Sequence, residues 1–250
     1  MSNEREKIVE IKNLSKRYGK ADHYTIEDIN IECYSGEIVG IMGKNGAGKS
    51  TTIKCLTGYF PFDKGEITIC GHNVKTDPVN AKMNLGYVPD SRAMFDKMTG
   101  FEYVNFIADL HDVDVSVRQE RIDEMEKKFK LGNKIYTMIS SYSHGMRQKI
   151  CLMASLIHRP KLWLLDEPLT GLDAQTIESL LNYMVEYKNQ GNAVLFCSHN
   201  LDVLDRVCDR VYRIGDGHVL NSFTMEEFKA EHPNESLVKV FMSDIGDENE

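Results

Sequence analysis

The chain has 250 residues, 42% hydrophobic and 27% charged, the composition of an ordinary soluble globular protein with room for one large α/β domain and a subdomain. Thirty Lys and Arg against 38 Asp and Glu give a net charge of −8, which argues against a general nucleic-acid-binding surface. No apolar run approaches the ~18–20 residues that span a bilayer, and the charged start has no signal-peptide core behind it, so a membrane role is expected to come through a partner chain.

In chain order, Ile8–Ile11 and Ile29–Cys33 read as strands. Glu37–Met42 is a short apolar run suited to a buried strand. A helix is expected from about Lys49 to Gly58, with Gly58 as its C-terminal cap ahead of Pro61. Ile67–Cys70 beside Gly71 gives a further strand and turn. From about residue 90 to 160 the pattern turns helical. Ile122, Met125 and Phe129 share one face behind a candidate N-cap at Ser116; Met146, Ile150, Met153 and Ile157 share another, stopped at Pro160. Leu162–Leu165 and Ala193–Cys197 are strand-like, and Ile177, Leu180, Leu181 and Met184 form a helical stripe between them. The stripes read as core. The layout is an α/β domain with a helical insertion and strand-rich N-terminal additions. Six cysteines (Cys33, Cys55, Cys70, Cys151, Cys197, Cys208) show no C-x-x-C pair, and are expected to be reduced and mostly buried, as in a cytosolic protein.

The strongest motif is Gly43-Lys44-Asn45-Gly46-Ala47-Gly48-Lys49-Ser50, between an expected strand and an expected helix. Its glycines let several backbone N–H groups face phosphate oxygens, and the helix adds its positive end. Lys49 can reach the β- and γ-phosphates, and the Ser50 hydroxyl suits Mg²⁺. Leu162–Asp166 is an apolar strand ending in a carboxylate, a second Mg²⁺ candidate, and Glu167 beside it is a candidate general base toward water.

Tyr142-Ser143-His144-Gly145-Met146-Arg147-Gln148 lies between these two motifs. With it the chain resembles the nucleotide-binding subunits of ABC transporters from about Ile8 to about Leu220. The resemblance implies a P-loop NTPase (RecA-like) α/β core with an N-terminal antiparallel β subdomain and a helical signature subdomain. It implies one domain over 1–240, with core at 1–89 and 161–220 and the helical part at 90–160. Composition makes 241–250 an acidic tail.

Residue by residue, the resemblance assigns nucleotide binding to Gly43, Asn45, Gly46, Ala47, Gly48, Lys49, Ser50 and Thr51, and stacking on adenine to Tyr18. His199 matches the switch histidine that contacts the γ-phosphate, and Gly171-Leu172-Asp173 the loop that crosses the dimer interface. Ser143, His144, Gly145 and Asp173 would act in trans, on ATP held by the opposing subunit. Two departures stand out. Asp90 occupies a position usually held by Gln; it can bind Mg²⁺ but cannot donate as an amide does. His144 and Met146 stand where Gly and Gln are common. Both departures resemble exporter ATPases whose permeases are separate membrane proteins.

The expectation is therefore an ATP- and Mg²⁺-dependent ATPase, working as a homodimer or with a paralogue. It would sit at the cytoplasmic face of the cell membrane through a transmembrane permease, with no nucleic-acid partner. Met94, Phe95, Met98, Phe101 and Tyr103 suit either the groove that receives a permease helix or the core of the helical part. A soluble ABC ATPase with a non-membrane client is the first rival. A P-loop kinase or GTPase is the second, and leaves Ser143–Gln148 and His199 unexplained.

Overall fold

The computed structural model describes residues 5–19, 21–90 and 95–241. Met94 and the acidic tail from 242 onward lie outside them. The elements run β1 (Lys7–Lys16), β2 (Ile26–Tyr34), β3 (Ile38–Met42), α1 (Lys49–Leu56), β4 (Lys64–Ile69), β5 (His72–Asn73), α2 (Pro78–Met83) and β6 (Leu85–Val88). Three helices follow, α3 (Gly100–Leu110), α4 (Val115–Phe129) and α5 (His144–Leu156), with two short 3₁₀ turns ahead of α5. The chain then alternates through β7 (Leu162–Asp166), α6 (Ala174–Asn189), β8 (Ala193–Cys197), α7 (Leu201–Val207), β9 (Arg210–Gly215) and β10 (His218–Thr224), and ends in α8 (Met225–Glu231) and α9 (Leu237–Phe241).

Two sheets organise these elements. An antiparallel sheet has the order β2-β1-β4-β5, and a larger one the order β10-β9-β3-β8-β7-β6, parallel except for the β9–β10 hairpin. Strands β3, β7 and β8 are buried at every position, because both of their faces are covered. Alternation sends Val39, Ile41, Leu164 and Leu195 into the layer shared with the antiparallel sheet. Ile38, Met42, Trp163, Leu165 and Phe196 go to the opposite layer, against the helices. Trp163 is fully buried, and its Nε1–H donates to Ser155 Oγ at 3.0 Å, which ties α5 to β7.

Strands β2 and β4 begin three residues earlier than expected, at Ile26 and Lys64, and two other boundaries differ for physical reasons. Asp114, not Ser116, caps α4: its carboxylate accepts the Ser116 N–H at 2.8 Å. Ser116 is thus inside the first turn, and the more upstream side-chain acceptor wins. Strand β1 extends past Ile11 because polar residues continue its ladders on both sides, with Lys12 opposite Glu66 and Lys16 opposite Ile26. Gly58 lies in the left-handed region just beyond α1 (φ 69°), as a C-terminal stop requires. All six cysteines are free; five are buried and Cys70 is partly exposed.

Candidate functional site

The register of the parallel strands assembles the site. Ile41 of β3 and Asp166 of β7 both lie level with Cys197 of β8. The Gly43–Ser50 loop, the Asp166–Glu167 pair and Ser198–His199 therefore leave the sheet at one edge, outside the carboxyl ends of the strands.

The loop is built for an anion. No side chain caps α1, whose N-cap is Gly48, so its first N–H groups remain available. The β9–β10 hairpin backs the loop: Gly217 N–H donates to Ala47 O at 3.1 Å, and a Cβ on Gly43 would stand 2.1 Å from Ile214 O. Lys49 is buried, and its Nζ donates to Gly43 O at 2.6 Å and Lys44 O at 3.1 Å, filling the loop from inside. Ser50, Asn45 and Gly46 are exposed. At the flank, the Tyr18 hydroxyl lies 3.2 Å from Thr51 Oγ1, and its ring, 42% exposed, meets Phe60 edge-on at 5.5 Å. An aromatic face thus stands beside the first turn of α1.

Opposite the loop are carboxylates. Asp166 is buried, its pKa is pushed up to about 6, first by burial and then by Asp90 and Glu167, and its Oδ1 has no hydrogen-bond partner. An orphaned carboxylate oxygen facing two more acidic groups fits a hard divalent cation. Among the described residues no three His, Cys, Asp or Glu form a self-sufficient metal site. Glu167 holds a left-handed conformation (φ 48°) that a non-glycine residue adopts only under constraint. Its N–H donates to Cys197 O at 3.1 Å, and its Oε2 lies 2.9 Å from His199 Nδ1.

The remaining expected residues form a second group at the starts of α5 and α6. Ser143 caps α5, its Oγ accepting the Met146 N–H at 3.3 Å. Asp173 caps α6, accepting from Thr176 N–H and Thr176 Oγ1 at 2.9 Å each. His144 lies over Gly171, and Gly145 against the Gly171 carbonyl. Two residues here had been given no role from sequence. Phe60 buttresses Tyr18, and buried Gln148 donates from Nε2 to Pro168 O at 2.7 Å. Gln148 stands four residues after His144, the helical spacing that puts both on one face of α5, and that spacing was the available signal.

Between β6, α3 and α5 is a cavity of about 270 Å³, lined by Tyr87, Pro89, Tyr103, Ile107, Cys151 and His158 among others. Met98, Phe101 and Tyr103 all pack on the helical core, Tyr103 also lines the cavity, and Phe95 is 54% exposed. Core packing thus accounts for Met98, Phe101 and Tyr103. No helix of the described residues is long and apolar enough to cross a membrane.

A glycine-rich loop on a parallel sheet, backed by an antiparallel β subdomain and joined to helices that carry the signature stretch, defines a P-loop NTPase with a RecA-like core. Residues 26–170 match the family described as ABC transporter, and the chain belongs to that family. It is an ATP-binding ATPase of that type. Relatives include the linearmycin resistance ATP-binding protein LnrL of Bacillus subtilis, 28% identical over 96% of this chain and 76% of LnrL. The ABC transporter ATP-binding protein NatA of the same organism is 29% identical, with coverage of 88% and 90%. The SkfA peptide export ATP-binding protein SkfE, also of Bacillus subtilis, is 30% identical, with coverage of 89% and 91%. Among solved structures, an ATP-binding subunit of an ABC transporter superposes with a TM-score of 0.88 at 28% identity, over 94% of this chain and 98% of that one.

Proposed function

We propose that this chain is the ATP-hydrolysing subunit of an ABC exporter. Two copies, or this chain and a paralogue, close around two ATP molecules and drive a separate transmembrane permease from the cytoplasmic face of the membrane. The observation that carries the hydrolytic half is the arrangement of Glu167. It is constrained in a left-handed conformation, held by His199, and set beside a buried Asp166 whose Oδ1 is unpartnered.

The residues divide the work. The amides of Gly43–Lys49 and the start of α1 bind the phosphates, and Lys49 exchanges the carbonyls of Gly43 and Lys44 for the β- and γ-phosphate oxygens. Asn45 and Thr51 complete the cradle, and Tyr18 stacks on the base. Ser50, Asp166 and Asp90 would hold Mg²⁺, which would supply positive charge to offset that of the phosphates. Glu167 takes a proton from the attacking water while His199 fixes its carboxylate. Ser143, Gly145 and Asp173 present the starts of α5 and α6 to the partner's ATP, so each site is finished by the other chain.

The exporter reading is supported by the departures at Asp90, His144 and Met146 and by SkfE, whose name assigns it to peptide export. The permease reading is supported by the cavity between β6, α3 and α5, of a size and lining suited to an inserted side chain or helix end. The division into one domain over 1–240, with a helical part at 90–160, follows from the same reading. Co-expression with a candidate membrane permease tests it. Co-purification in detergent, with ATP turnover stimulated in the complex, is expected. A chain that leaves every membrane fraction and turns over ATP at an unchanged rate points to a non-membrane client instead.

A further inference from the structure

His144 stands where this family commonly has glycine, and α5 does not need it to begin, since the cap is the Ser143 hydroxyl. Its imidazole lies against Gly171. A Cβ built on Gly171 would meet His144 Cδ2 at 1.9 Å and Nε2 at 2.8 Å. Gly171 is itself left-handed (φ 78°), a backbone that favours glycine, and the exposed ring of His144 rests on it. Two further features of the same chain bring the start of α5 against the segment behind Glu167. Gln148, one turn further along, donates to Pro168 O at 2.7 Å. Gly145 approaches the Gly171 carbonyl so closely that a Cβ would sit 2.9 Å from it.

Glu167 depends on such support. Its left-handed conformation persists only where its surroundings over-determine it. Cys197 O and His199 hold it on one side. On the other, the chain leaves through a short turn, with Thr170 N–H toward Glu167 O at 3.5 Å and Leu172 N–H to Leu169 O at 3.2 Å. Gly171 thus stands four residues from Glu167 along this turn.

We propose that His144 is a positioning residue: by covering Gly171 of its own chain it holds the 168–171 turn, and through that turn the carboxylate of Glu167. The proposal rests on Glu167 being the base. It gives His144 a role in cis, toward the ATP of its own chain, whereas the family resemblance places this position against the partner's ATP.

Mixed dimers of full-length chains separate the two roles, each chain carrying its own affinity tag and the pair purified by both. In the first dimer one protomer carries His144→Gly and the other Glu167→Gln, so the working base belongs to the altered chain. In the second, one protomer carries both substitutions and its partner neither, so the working base is in the unaltered chain. Relative to a dimer carrying Glu167→Gln in one protomer alone, kcat of the first is expected to fall about 10- to 100-fold with KM for ATP nearly unchanged. The second is expected to match that reference. A loss confined to the second dimer, or equal in both, overturns the proposal in favour of contact with the partner's ATP, and no loss in either overturns it outright. If Glu167→Gln in both protomers leaves turnover intact, the base assignment fails and the proposal falls with it. If no doubly tagged species forms, the dimer reading fails separately, and the same loss of kcat is expected of His144→Gly alone.

Discussion

His199 Nδ1 lies 2.9 Å from Glu167 Oε2, and the two residues follow adjacent strands, β8 and β7, whose ends are in register at Cys197 and Asp166. The ionised carboxylate can only accept, so His199 Nδ1–H is the donor of this bond. His199→Ala is expected to lower kcat about 100-fold while KM for ATP moves little, since the ring orients the base without carrying most of the binding energy. Steady-state phosphate release over a range of ATP concentrations reads both parameters.

Asp166 supplies the clearest test of the metal assignment. Its buried Oδ1 lacks a partner, and it faces the charges of Asp90 and Glu167. A divalent cation relieves both costs at once. Mg²⁺ added to the ATP-bound protein is expected to raise Tm by several degrees, in keeping with a few kcal/mol of linked stabilisation. In Asp166→Asn the increment due to Mg²⁺ should largely vanish, while ATP alone still stabilises. Differential scanning fluorimetry with ATP, with and without Mg²⁺, gives the comparison. An undiminished Mg²⁺ increment in the variant would place the ion elsewhere.

The pair His111 and His158 predicts a pH dependence of stability away from the nucleotide. Their rings stack at 3.6 Å, and His158 lies 3.1 Å from Leu85 O through Nε2. Burial first, and then His111, pushes the His158 pKa down from 6.5 to about 4; burial also lowers that of His111. A histidine whose folded pKa is depressed binds fewer protons folded than unfolded between those two values. Its contribution to stability is therefore full above pH 6.5 and lost progressively as the pH falls toward 4. Urea unfolding should show about 2 kcal/mol less stability at pH 5 than at pH 7.5 from this residue, and His158→Phe should flatten that part of the profile.

Ser155→Ala tests the joint between α5 and β7. It leaves the Trp163 indole N–H buried without an acceptor. A loss of about 1–3 kcal/mol in chemical denaturation is expected. Catalytic parameters of the folded protein should change little, because neither side chain faces the site.

Much of this architecture was legible in the sequence, and for identifiable reasons. Strand β8 coincides with its expected span because Ala193–Cys197 is an unbroken apolar run buried on both faces. The phosphate loop and Asp166–Glu167 were legible because their chemistry depends on spacing within one segment. The helices beyond His199 were not. Helices α7 and α8 have seven residues each and α9 has five, too few turns for a periodic stripe to emerge. The cap of α4 was misplaced by two residues because Asp114 and Ser116 are both capable acceptors, and local sequence does not rank them. The contact of His144 with Gly171 joins positions 27 residues apart through a turn, so no period or motif reports it.

The composite site is the central claim, and the mass of the Glu167→Gln protein in solution tests it most directly. Multi-angle light scattering with saturating ATP and Mg²⁺ is predicted to give twice the mass seen without nucleotide, reverting to the single-chain mass when Ser143→Arg is added. A Glu167→Gln protein that binds ATP yet keeps its single-chain mass at every protein concentration would contradict it.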